Sequence, residues 1–194
     1  MRHDKIRNLE ADILKDVCKD VKVEPALIPL GSYTNTTSSK TSEMARLDVS
    51  AVGIWSPMER TFLDVRVVHP NCPTHKRKKI EKIYEENEKE KKAAYNQRII
   101  QVEKASFTPL VFTTSGGMAP ECTKFHKKIA QLISFKTKEE YPQVMNHLRT
   151  RLRFCVLRST LIALRGERGK RSGPNTNISD LSFNTVPDMP SYEA

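Results

Sequence analysis

Apolar residues near the start of the chain recur at three- and four-residue intervals, at Ile6, Leu9, Ile13, Leu14 and Val17. That spacing predicts a helix over Arg2–Asp20 with one buried face. Lys22-Val23-Glu24-Pro25 and then Leu27-Ile28-Pro29-Leu30 predict a short edge strand and its exit, because proline cannot donate to a sheet ladder. Gly31 to Ser42 is rich in Ser, Thr, Asn and Gly, the composition of an exposed loop. The period then changes to two. Leu47, Val49 and Ala51 alternate with Arg46, Asp48 and Ser50, and Leu63, Val65 and Val67 alternate with Phe62, Asp64 and Arg66, predicting the two strands of a hairpin. Pairing Asp48 with Asp64 centres the connection on Ser56-Pro57, within the turn-rich stretch Gly53 to Glu59.

Helical spacing returns between Thr74 and Lys104, through Ile80, Ile83, Tyr84, Ile99 and Val102, with an unusually polar middle. Phe107 to Thr113 predicts a buried strand, Thr114-Ser115-Gly116-Gly117 a tight turn, and Ala119-Pro120-Glu121 a helix start. A last helix, Tyr141 to Leu164, is apolar on most sides and carries Arg151, Arg158 and Arg165 seven residues apart, which predicts a basic stripe on a mostly buried helix. After Gly166 periodicity ends. The expected organisation is one domain over 1–166 with a basic and polar disordered tail over 167–194. The order helix, strand, hairpin, helix, strand, helix predicts an α/β fold: a central mixed sheet of about four strands flanked by helices, with a C-terminal helical segment.

Charge narrows the choice of partner. Lysines and arginines number 33 against 23 acidic residues, a net +10 over 194 residues, and this favours a polyanion, with nucleic acid ahead of an anionic membrane surface. No run of eighteen apolar residues exists and the first residues lack a signal-peptide core, so the expectation is a soluble intracellular protein with no membrane partner. Cys18, Cys72, Cys122 and Cys155 form no Cys-x-x-Cys pair, and reduced thiols are expected. His69-x-x-Cys72-x-x-His75 and the Cys122/His126 spacing have the look of zinc ligands, but structural zinc takes four ligands in recurring pairs, and coincidence is the better account.

The candidate chemistry lies in the hairpin. Two aspartates opposed on neighbouring strands destabilise the pair and raise one carboxyl's pKa unless a cation offsets the charge. Mg2+ or Mn2+ held by Asp48 and Asp64 does so, and such an ion activates water for phosphodiester hydrolysis. Arg66, on the same face, has the fork geometry for a phosphate. The residues alone leave a second account open, in which Asp48 pairs with Arg46 or Arg66 on a solvated sheet face.

Several strings taken in order carry a resemblance: Arg2-His3-Asp4-Lys5-Ile6-Arg7, Glu24-Pro25-Ala26-Leu27, Ala45 to Ser50 with Phe62 to Val67, Glu88 to Arg98, and Phe107 to Glu121 followed by Leu148 to Phe154. Together they resemble the PD-(D/E)XK-like, restriction-endonuclease-like domain found C-terminal to reverse transcriptases of animal mobile elements. The resemblance implies a metal-dependent DNA endonuclease that nicks during element integration, with the element's reverse transcriptase as a partner and a nuclear location. Asp48 takes the first acidic position and Asp64-Val65-Arg66 the second motif. Leu47 replaces the signature proline. Arg66 replaces the signature lysine, and a guanidinium does not deprotonate at working pH and so cannot serve as a base. Lysine can migrate to the neighbouring helix in this superfamily, so Lys91 or Lys92 could reach in, and Lys92 with Tyr95 is the expected assisting pair; a solvated charge run accounts for them otherwise. Glu24, or Glu10 in the first helix, is a candidate third metal ligand. His3, Arg7, Arg149, Arg151 and Arg153 are candidate contacts to DNA. The alternative function is a catalytically inactive DNA- or protein-binding remnant of such an element, and the missing upstream reverse transcriptase and Cys/His knuckle mark the chain as a fragment or standalone copy.

Overall fold

In a computed structural model, residues 2–28 and 45–168 are described. The predicted loop over 31–42 and the tail beyond Arg168 lie outside them. Within them the chain forms a mixed α/β fold, in the order α1 (Arg2–Lys15), β1 (Lys19–Val23), β2 (Val49–Val52), β3 (Arg60–Val68), α2 (Ile80–Arg98), β4 (Ser106–Thr113), α3 (Pro120–Thr137) and α4 (Tyr141–Arg168). The four strands lie side by side in sequence order, the first three antiparallel and β4 parallel to β3. Pro109 is tolerated in β4 because that strand is an edge of the sheet.

The period-two pattern sorts β3 between two layers. Leu63 and Val65 are buried with Val49, Ala51, Leu110 and Phe112 against Ile6, Ile13 and Leu14 of α1, Phe125 and Ile129 of α3, and Leu148 and Leu152 of α4. Phe62 and Val68 face the other way. Phe62 packs with Leu27, Leu47, Ile99 and Phe107, and Val68 with Ile83, Val111 and Ala119 beneath α2. The sheet is thus sandwiched between α1, α3 and α4 on one face and α2 on the other.

The hairpin register is the predicted one. Val49 pairs with Leu63 and Ser50 with Phe62, but the ladder ends there: Asp48 sits at a bend, its N–H donates to Leu63 O, and the expected Asp48–Asp64 pair does not form. Gly53, at φ +102°, supplies the positive φ that the connection needs, and its N–H donates to Glu59 O at 3.1 Å. Leu47 departs from the alternation. It packs with Phe62 on the α2 side instead of with Val49, because the chain bends at Asp48 before β2 begins.

Two helix boundaries also differ from expectation. α2 starts at Ile80, since hydrogen-bonded turns run from His69 to Lys78, and it ends in a π-helical turn, Ile99–Glu103, closed by Lys104 at φ +52°. α4 continues to Arg168, and one face of it is exposed at Phe154, Leu157, Leu161 and Ile162, while Val156 and Ser159 on the opposite face stay buried. The helix packs on the core through that inner face alone, so apolar residues on its outer face are left uncovered.

Candidate functional site

β2 covers only the first part of β3, from Arg60 to Leu63, and leaves the far half of that strand's edge uncovered. Asp48 stands where the cover ends. Its N–H donates to Leu63 O at 3.2 Å, and its Oδ2 accepts the Val65 N–H at 2.6 Å, so the side chain replaces the ladder acceptor that a longer β2 would have supplied. The same Oδ2 meets His3 Nε2 of α1 at 2.9 Å. This contact raises the His3 pKa above its ordinary value, through the hydrogen bond first, against the opposing effect of burial.

Asp64 points to the other layer. Lys91 of α2 brings Nζ to 2.7 Å from Asp64 Oδ2, an ion pair whose angle lies outside hydrogen-bond geometry, so this buried oxygen has a charge partner but no aligned donor. Burial pushes the Asp64 pKa up, Lys91 pulls it down, and the nearby Asp48 charge raises it again. The net shift is upward. Asp64 is thus a largely buried carboxylate, paired with Lys91 and in the field of a second carboxylate.

Beyond Asp48 the open edge of β3 forms the floor of a cleft of about 480 Å³. Val65 and Val67 line its base, and His3, Arg66, His69 and Lys91 its walls. Arg66 Nη1 contacts Glu90 Oε1 at 2.8 Å while still facing the cleft, and His69 Nδ1 is 2.9 Å from Thr114 Oγ1. Lys91 also lies 5.8 Å from the centre of the Tyr95 ring, which packs on Phe107 at 5.8 Å between centroids. Tyr95 is therefore a support for the lysine rather than part of the cleft wall.

The other expected site residues lie elsewhere. Lys92, one residue on from Lys91, points about a quarter-turn around α2, where its Nζ is 3.1 Å from Glu121 Oε1. With Glu88, whose Oε1 accepts the Glu121 N–H at 2.9 Å, it fastens α2 to the first turn of α3. Glu24, at φ +51°, is paired with Arg7 at the exposed end of β1. Glu10 is fully buried and bonded through Oε1 to His126 Nε2 at 2.9 Å. Arg149 and Arg153 line a groove beside the Gly116-Gly117 turn, and Arg151 a second groove between α1 and α4. Of the expected metal ligands, then, Asp48 meets His3 of α1 and Asp64 meets Lys91 of α2, each carboxylate within the electrostatic field of the other, and Glu24 is held apart by Arg7. His3 was expected at DNA and holds Asp48.

The donor set suits a hard divalent cation in one respect and is sparse in another. Asp48 and Asp64 offer carboxylate oxygens, and one buried oxygen of Asp64 lacks an aligned donor. Among the described residues no three His, Cys, Asp or Glu side chains group to hold a metal. Magnesium is commonly held by one or two carboxylates completed by water and substrate phosphate, so two are enough for a site assembled with its substrate. Of the other zinc-like spacing, His69 pairs with Thr114 and Cys72 Sγ lies 3.0 Å from Thr74 Oγ1, while the backbone of all three, His69, Cys72 and His75, runs through local turns. No described helix is long and apolar enough to cross a membrane. No protein-family model and no curated protein matches the chain.

Proposed function

We propose that this chain is a metal-dependent DNA endonuclease of mobile-element origin, nicking by phosphodiester hydrolysis at the cleft beyond Asp48. The observation that carries the reading is that Lys91 and His3, which line one cleft with Arg66 and His69, each pair with a carboxylate beside it, Lys91 with Asp64 and His3 with Asp48. The order of elements and the mixed four-stranded sheet support it, since this is the arrangement that the resemblance to PD-(D/E)XK nucleases implies. Lys91 takes the part of the migrated lysine.

Asp48 and Asp64 would hold Mg2+ or Mn2+, which supplies an activated water and charge stabilisation when bound. His3 fixes the rotamer of Asp48, and the Val65 N–H fixes its height against β3. Lys91 keeps a positive charge at Asp64 and places it toward the cleft, where it offsets charge developing on the phosphoryl oxygens. Arg66 has the geometry to grip a non-bridging oxygen with its guanidinium fork, once Glu90 gives way or shares it.

Supercoiled plasmid nicking with magnesium tests this. Wild-type protein is expected to nick in a metal-dependent way and Asp64→Ala to lose at least a hundredfold, the scale of a lost electrostatic contact at the reacting group. Equal behaviour of the two proteins rejects the enzyme. One feature favours the inactive DNA-binding remnant as a second reading: each expected carboxylate ligand already has a protein cation, Asp48 with His3, Asp64 with Lys91 and Glu24 with Arg7. Retained DNA binding with no nicking by any variant selects that reading.

A further inference from the structure

The cleft at Lys91 is the first of four adjoining grooves. It shares Thr114 with a groove of about 360 Å³ lined by Ser115, Thr150, Arg153, Phe154 and Leu157. That groove shares Thr150 and Phe154 with one lined by Lys5, His147, Arg151 and Arg158, and shares Arg153 with one over Gly116 and Gly117 that reaches Arg149. None of the described residues lining the four is acidic. Three acidic residues, Glu90, Asp48 and Asp64, touch the lining at the Lys91 cleft, each paired with a basic residue there, and the three grooves along α4 carry arginines, a lysine and a histidine with no acidic residue among their described lining, which fits a polyanion.

Phe154 stands on the ridge between two of these grooves and is 67% exposed. Arg151, Arg153 and Arg158 flank it on α4, all exposed. An apolar docking face for a second copy of the chain would set these like-charged arginines against one another, so charge disfavours that occupant. A paired duplex offers phosphates to the arginines but no face to the ring. An unpaired nucleotide offers both, because every base has a π-face that stacks on an aromatic side chain while its phosphate meets a neighbouring cation.

We infer that Phe154 is a base-stacking residue, and that the preferred ligand is DNA with unpaired nucleotides next to the scissile phosphate, the strand running from the Lys91 cleft over Thr114 onto α4. The position of the scissile phosphate rests on the nuclease reading; the stacking contact does not. Thr114 and Ser115 come from the end of β4 and its turn, so the strand path is fixed by the same sheet that holds Asp64.

Fluorescence anisotropy in EDTA, where metal-dependent cleavage is silent, compares a fully paired duplex with the same duplex bearing a single-stranded flap. Wild type is expected to prefer the flap. Phe154→Ala is expected to weaken flap binding about tenfold or more, the scale of one lost stacking contact, and to leave duplex binding within about twofold. Phe154→Tyr, which keeps the ring, is expected to retain the preference. Equal weakening on both DNAs, no weakening on either, or a concentration-dependent dimer that Phe154→Ala abolishes overturns the inference. A chain that never nicks yet keeps the Phe154-dependent preference loses the nuclease reading and keeps this one. One that nicks with no dependence on Phe154 loses this one alone.

Discussion

Replacing His126 by alanine is expected to be among the most damaging single changes in the protein. The imidazole and the Glu10 carboxylate are both fully buried, 2.9 Å apart, between α3 and α1. His126 Nδ1 donates to Cys122 O at 2.7 Å, and the ring lies edge-on to Phe125 at 5.1 Å and Phe112 at 6.0 Å between centroids. Burial alone would lower the His126 pKa, but the Glu10 charge and the Cys122 contacts outweigh it and hold the pKa well above 6.5. The pair is therefore imidazolium and carboxylate. Removing one partner strands a buried charge, at a cost of about 3–5 kcal/mol. For a chain of this size that corresponds to a fall in Tm of roughly 6–20 °C. Because the folded-state pKa is raised, the stability from His126 is fully present below the unfolded value of about 6.5 and is lost as pH rises through the folded one. Wild type should thus lose stability on the alkaline side, and a Glu10→Leu/His126→Leu double variant should lose this dependence while recovering most of the loss, as apolar replacement of a buried pair commonly does. Urea unfolding of wild type, the two single variants and the double variant, each at two pH values, reads all three effects. Additive single-variant losses, or a His126→Ala midpoint indistinguishable from wild type, would refute the reasoning.

Two further changes separate neighbours in the sequence and neighbours in space. Lys91→Met should abolish nicking and push the Asp64 pKa still higher, since it removes the charge that lowers it, whereas Lys92→Met should spare turnover and cost a little stability at the α2–α3 junction; plasmid nicking and thermal melts of the two variants distinguish the roles. Gly117→Ala should destabilise by about 1–3 kcal/mol, the cost of overpacking, because a Cβ there would lie 2.8 Å from Thr113 Oγ1 and run into the Tyr84 hydroxyl. Adding Tyr84→Phe should restore part of the loss in a urea titration, and no recovery would place the strain at Thr113 instead.

The sheet was legible because each strand obeys a simple period. Val49, Ala51, Leu63 and Val65 alternate cleanly, and the register that pairs Val49 with Leu63 follows from two fixed strand segments and the turn residues between them, although the pairing stops one residue short of Asp48. Leu47 shows where such reading stops. A bend at one polar residue sends the preceding side chain to the other layer, and no periodicity encodes that bend. In the polar middle of α2 the expected lysine, Lys92, is the wrong one of two neighbours, and Lys91 holds Asp64. Both sit in one charge run, and only the angle at which the helix crosses β3 decides that the first reaches Asp64 and the second Glu121. His126 was seen only as half of a doubtful zinc spacing with Cys122. Its real partner, Glu10, is 116 residues away in sequence, a long-range pairing that local spacing does not reveal. The second half of α4 misled in the opposite sense. Leu157, Leu161 and Ile162 have core-forming side chains, but burial needs a neighbouring layer as well as an apolar residue, and the core is met by the opposite face of those turns, at Val156 and Ser159.

The placement of Asp48 ties architecture to chemistry more closely than the carboxylate pair alone. A β2 strand extended past Val49 would cover β3 at Val65 with backbone, and the cleft floor would become ordinary sheet. Because the chain bends at Asp48, one side chain both closes the last rung, through the Val65 N–H at 2.6 Å, and keeps a carboxylate against His3, which lines the cleft. Val65 is hydrogen-bonded to Asp48 and lies one residue after Asp64, so the two acidic positions are coupled through a single peptide of β3. Asp48→Asn would preserve much of the acceptor geometry at Val65 while removing the charge, whereas Asp48→Ala would remove both. If catalysis depends on the charge, both variants should lose nicking, but only the alanine variant should also lose about 1–3 kcal/mol of stability from the unpaired N–H. Equal stability of the two variants would mean that Asp48 does not close the ladder, and the account of how β3 presents the site would fail with it.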